Sequence, residues 1–190
     1  MFKKILALLL AATVVGAALV SCGEEPVKEV PLADVTAAVK GAYGDLYDPE
    51  NEMGLPMMDL DAETLSSIYG INAEWVEEYA AAMPMMMTNV DTYIIIKPTE
   101  GNKENVLGAL NSYYDYLVND SMQYPMNLEK VRAAQVFEKG EYVFFIMLGT
   151  LSDDALYAEG TEEEIAAVQY NEAIANNQKA IDAINALYGE

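Results

Sequence analysis

Tyr142-Val143-Phe144-Phe145-Ile146-Met147-Leu148 is a seven-residue run without a charge and without alternation of polar and apolar positions. A strand with one wet face alternates, whereas a strand that is apolar throughout is covered on both sides. The run therefore predicts a sheet with helices, or a helix and a partner, over its two faces. Ala133 to Phe137 precedes it, and Glu138-Lys139-Gly140-Glu141 lies between. Lys139-Gly140 supplies the turn of a β-hairpin.

Working outward, Tyr93-Ile94-Ile95-Ile96 centres a second strand over 92–97, ended by Pro98. Glu100-Gly101-Asn102 makes a turn, and Val106, Leu110, Tyr114 and Leu117 line one side of a helix over about 103–118. A short helical turn fits Leu128 to Val131. Upstream, Leu32, Val35, Val39, Tyr43 and Leu46 recur at spacings of three and four, predicting a helix over 32–45 that stops near Gly44. Two prolines, Gly54 and several acids make 47–60 a loop. Asp61 caps a helix that Gly70 ends. Ala73 to Ala82 has helical propensity, but Pro84 favours extended structure after Val76, so 77–86 is read as a strand.

At the C-terminal end, Thr161-Glu162-Glu163-Glu164 has the form of a capping box, and Tyr170, Ile174, Asn177, Ile181, Ile184 and Tyr188 repeat at helical spacing. A long terminal helix follows. It either packs on the domain or forms a coiled-coil seam in which Asn177 sets the register, and the shortness of the repeat favours packing. The fold class predicted is α+β: a single domain with a small, mainly antiparallel sheet, packed helices and a long C-terminal helix.

The N-terminal stretch is read separately. Lys3 and Lys4 precede an uncharged apolar run from Ile5 to Val20, which is short of the roughly 20 residues that span a bilayer. Leu19-Val20-Ser21-Cys22-Gly23 resembles a bacterial lipobox. The organisation expected is a lipoprotein signal peptide over 1–21, an acidic linker over 22–31 beginning with lipidated Cys22, an α+β domain over 32–150, and an acidic loop with the terminal helix over 151–190. Lipid on Cys22 places the chain at the cell membrane on its extracytoplasmic side, with the membrane as its first partner.

Ten basic and 31 acidic residues give a net charge of −21. Removal of residues 1–21 takes Lys3 and Lys4 with it, for −23. Such a surface repels nucleic acid and anionic head groups within a Debye length of about 8 Å. The chain contains no histidine and a single cysteine, which excludes Ser-His-Asp and Cys-His nucleophile systems and zinc or iron sites built on histidine. Ser66, Ser67 and Lys97 do not form S-x-x-K or a nucleophile elbow. Acidic clusters at 48–52, 59–61 and 153–154 lack the spacing and central glycine of an EF-hand loop.

Two concentrations of residue type remain. Methionine is in excess at Met53, Met57, Met58, Met83, Met85, Met86 and Met87. Thioethers suit Cu(I), but they more often fill cores or line adaptable contact surfaces. Tyr113, Tyr114, Tyr116 and Tyr124 form the second concentration, and exposed tyrosine stacks on sugars or anchors protein interfaces. Met83, Met85, Met86, Met87, Tyr113 and Tyr116 are the candidate partner surface. No catalytic residue, metal site or cofactor is assigned.

Tyr69-Gly70-Ile71, Met85-Met86-Met87-Thr88-Asn89-Val90, Ile94-Ile95-Ile96-Lys97-Pro98, Tyr124-Pro125 and Gly140-Glu141-Tyr142-Val143-Phe144, in that order, resemble the lipoprotein family known as domain of unknown function 4358. The resemblance covers roughly 32–150. It implies a lipobox and an origin among Gram-positive gut bacteria, and it carries over no catalytic residue. The expectation is a membrane-tethered extracytoplasmic lipoprotein, a non-enzymatic binding or accessory protein with a protein or peptide partner at the cell envelope. The alternative is a histidine-free hydrolase that uses paired carboxylates.

Overall fold

Every residue from Tyr142 to Leu148 is buried, and most of the run forms β5 (Tyr142–Met147), an interior strand of a five-stranded sheet. In this computed structural model, which describes residues 28–52, 54–86 and 88–190, the other strands are β1 (Met57–Asp59), β2 (Val76–Pro84), β3 (Thr92–Pro98) and β4 (Gln135–Lys139). Their order is β1-β2-β3-β5-β4, and every neighbouring pair is antiparallel. The leader, Cys22, the linker as far as residue 27, Met53 and Met87 lie outside the described residues.

The apolar runs divide their side chains between two cores, as a period of two requires. Ile94, Ile96, Val143 and Phe145 pack with Leu65 and Tyr69 of α2 (Ala62–Tyr69), Val106 and Leu110 of α3 (Lys103–Asn119), and Val131 of α4 (Leu128–Arg132). Tyr93, Ile95, Phe144 and Ile146 pack on the other side with Val35 and Val39 of α1 (Leu32–Gly41) and with Ala180 and Ile184 of α6 (Glu162–Tyr188). The sheet therefore lies between two helical layers. Each large side chain so buried is worth about 1.5 to 3 kcal/mol.

The terminal helix is tied to the domain rather than exposing a seam at Asn177. That side chain is buried, accepts from the Leu148 N–H at 2.8 Å and donates to the Ala133 carbonyl at 2.8 Å. It thereby satisfies two backbone groups that leave the ends of β5 and α4 without ladder or helix partners. Thr161 and Glu164 close the capping box at the start of α6, and Gly189, at φ 86°, ends it in the left-handed region.

Several boundaries differ from the sequence reading. The stretch 47–60 is not wholly loop, because Met57–Asp59 pairs along β2 as the edge strand β1. Three residues bounded by Pro56 and the Asp61 cap are too short to show a period of two, so only the partner strand reveals them. The first helix stops at Gly41, and Gly44–Tyr47 forms a separate 3₁₀ turn. The hairpin strand begins at Gln135, with Lys139 opposite Tyr142, so the turn residues are Gly140-Glu141 rather than Lys139-Gly140. Gly140, at φ 59°, takes the left-handed position. Within the acidic loop, Ser152 caps the short helix α5 (Asp153–Leu156). Among the described residues no helix is long and apolar enough to cross a membrane.

Candidate functional site

An ion pair lies inside the domain at the end of the sheet where β3 begins. Asp91, fully buried, precedes β3, and its Oδ1 is bonded to the Lys130 ammonium of α4, itself buried. The Tyr47 hydroxyl donates to Asp91 Oδ2 at 2.9 Å and accepts from the Gly149 N–H at 2.7 Å. Tyr43 stacks edge-on against Tyr47 at 5.3 Å and donates to the Asn176 carbonyl at 2.9 Å. Burial raises the Asp91 carboxyl above its ordinary pKa, against the pull of Lys130. Burial, and then the Asp91 charge, push the Tyr47 phenol far above its usual value. Both carboxylate oxygens are thus engaged, and the network locks four segments together: the 3₁₀ turn, the start of β3, α4 and the segment that follows β5.

Lys130 also contributes to the wall of a small pocket, about 200 Å³ in volume, that opens beside this network. Asn127, buried and donating to the Thr88 carbonyl at 3.0 Å, lies in the same wall. The rim is Met86, Met126 and Leu156, which remain 55%, 48% and 38% exposed. Met86 beyond the end of β2, the 3₁₀ turn Pro125–Asn127 and α5 thus bring apolar side chains to one place. Exposed Met85 and Tyr157 adjoin these rim residues in sequence, and exposed Leu128 lies two positions from Met126.

The sequence-predicted surface is split by the fold. Met85 and Met86 are exposed, and Met86 is on the pocket rim. Met83 is half-buried on β2 and packs against the core, so it offers little surface. Met87 lies outside the described residues. Tyr113 and Tyr116 line a different feature, a groove of about 440 Å³ between α2 and α3. Tyr113 is half-buried there, 4.4 Å from the Tyr69 ring and 5.6 Å from Phe145, and burial raises its phenol pKa. Tyr116 is 53% exposed, and Trp75, Asn105 and Ser112 complete the polar and aromatic lining. Tyr114, by contrast, turns to the Arg132 carbonyl at 3.0 Å.

Sequence reasoning missed the Asp91, Lys130 and Tyr47 network. These residues lie 39 and 44 positions apart and follow no motif. The one local signal is an aspartate set directly against an apolar strand. The acidic clusters resolve into local roles: Asp61 caps α2 through the Thr64 N–H at 2.8 Å, and Asp153 and Asp154 occupy the first turn of α5.

The family model described as Domain of unknown function (DUF4358) matches residues 50–148, from just before β1 through the end of β5 and Leu148. No curated protein and no solved structure matches the chain. The matched residues contain the whole sheet with α2, α3 and α4, and α1 and α6 lie outside them. Over more than half its length the chain follows this family's pattern, and it belongs to the domain of unknown function 4358 family.

Proposed function

We propose that the chain is a non-enzymatic binding or accessory protein of the cell envelope, tethered through lipid on Cys22, and that the Met86, Met126 and Leu156 rim receives a protein or peptide partner. The observation that carries this reading is the exposure of that rim around a pocket walled by buried Asn127 and Lys130. Flexible, polarisable methionine adapts to varied partner shapes, and clustered exposed apolar side chains mark interaction surfaces. The hydrolase alternative needs two carboxylates converging on a substrate. Among the described residues the buried carboxylates are Asp91 and Glu129, and each is engaged by a cation, Lys130 for the first and Arg132, at 2.7 Å, for the second.

The tether and the surface are tested separately. A Cys22→Ala protein is expected in the soluble fraction after envelope fractionation, and its retention with the membrane would contradict lipid anchoring. A Leu156→Glu substitution puts a charge on the pocket rim and is expected to abolish partner capture while leaving the fold intact by circular dichroism.

A further inference from the structure

The groove between α2 and α3 stands apart in its charge. The chain has 31 acidic and 10 basic residues among 190, yet none of the ten residues lining this groove is charged. It presents ring surface from Trp75, Tyr113 and Tyr116, and side-chain oxygen from Asn105 and Ser112. We infer that the groove binds a neutral saccharide of two or three units, whose C–H faces stack on these rings.

Two of the three rings are held in place before any ligand arrives. Tyr113 is gripped from below by Tyr69 and Phe145, and Trp75 packs against the core beside the groove, so stacking costs little side-chain entropy. Hydrogen-bond direction selects the ligand. Asn105 Nδ2 donates to Asn102 Oδ1 at 2.8 Å, and Ser112 Oγ gives its one proton to the Gly108 carbonyl at 2.8 Å. What these side chains keep for a ligand is the second N–H and the amide oxygen of Asn105 and the lone pairs of Ser112, one donor among acceptors. Sugar hydroxyls, which both donate and accept, match this mixed set. A proline-rich peptide, which also docks in aromatic grooves, offers carbonyl acceptors and no N–H at its prolines.

Size and field agree with this choice. From Asn105 to Tyr116 the groove follows about 16 Å of α3, and its volume of about 440 Å³ suits a short oligosaccharide. The excess negative charge of the chain disfavours an acidic sugar. This site is distinct from the methionine rim, so the inference does not rest on the partner reading and either can fail alone.

Trp75 is the only tryptophan in the chain, and its emission reports the groove directly. The full chain is titrated with cellotriose, maltotriose, mannotriose and N-acetylchitotriose, with trigalacturonate as the acidic probe and decaproline as the peptide probe, and each is repeated by calorimetry. A saturable change is expected with at least one neutral trisaccharide. Binding is expected to weaken roughly tenfold in Tyr116→Ala, through lost stacking, and to weaken in Asn105→Leu, through a lost acceptor. It should be unchanged in Met86→Ser. Absence of binding by every neutral trisaccharide, preferential binding of trigalacturonate or decaproline, or undiminished binding by a folded Tyr116→Ala protein would overturn the inference.

Discussion

Asp91 is a residue whose charge is tolerable only in company. A carboxylate with no solvent exposure, deprived of its cation, loses the largest of the interactions that offset desolvation and keeps the Tyr47 hydroxyl. Lys130→Met is therefore expected to cost about 3 to 5 kcal/mol in urea unfolding. Its pH dependence has a definite sign. Without Lys130 the folded-state pKa of Asp91 rises further above its unfolded value of about 3.9, so the folded state binds the extra proton. Stability is then fully present below that value and is lost as the pH rises through the raised folded pKa. The gap between wild type and variant should thus narrow in acid, and a gap that widens would contradict the pairing. Asp91→Asn combined with Lys130→Met removes both charges and is expected to recover part of the loss. Asp91 itself was not legible from sequence, because a buried ion pair between residues 39 positions apart is a property of tertiary packing.

Among the elements, α6 shows how a sequence signal and a structural role come apart. The capping box and the apolar repeat were sufficient to predict the helix, whereas the role of Asn177 depended on what the helix meets. It meets the end of β5, where Asn177 pairs the Leu148 N–H and the Ala133 carbonyl. Asn177→Leu leaves the Leu148 N–H unpaired and the Ala133 carbonyl with Gln135 Nε2 at 3.2 Å, and is expected to destabilise by about 1 to 3 kcal/mol, measured by urea unfolding. Unchanged stability would show that water replaces the side chain. At the start of α6 the Glu164 carboxylate accepts from the Thr161 N–H at 2.9 Å, and these bonds hold its pKa below the ordinary value. Its contribution is present above the unfolded pKa of about 4.3 and is lost as the pH falls through the lowered folded value. Glu164→Ala should therefore differ most from wild type near neutral pH and least in acid. β1 stayed hidden in sequence for the opposite reason: three residues carry too little pattern, and only pairing with β2 defines them.

For the molecule as a whole, the apolar run Tyr142 to Leu148 implied a sheet covered on two sides, and the two helical layers follow from it. The family match takes in the sheet and the layer of α2, α3 and α4, while the other face relies on α1 and α6. Deleting 161–190 removes α6 from the cover over Tyr93, Ile95, Phe144 and Ile146 and leaves α1, so the truncated chain is expected to lose cooperative unfolding and to bind a hydrophobic dye. A truncated protein that unfolds cooperatively and only ceases to self-associate would instead make α6 an assembly element. The candidate surface was half legible. Residue type pointed to methionine and tyrosine, but the fold assigns them to two places and withdraws Met83 into the core, which composition does not reveal. The central proposal is tested most directly by placing a photo-crosslinking residue at position 86, and separately at exposed Gln178 on α6, in the full chain in its native cells. The expected result is one discrete adduct from position 86, absent from position 178 and lost with Leu156→Glu. Equal labelling from both positions, or an adduct at 86 indifferent to Leu156→Glu, would contradict a partner surface at the methionine rim.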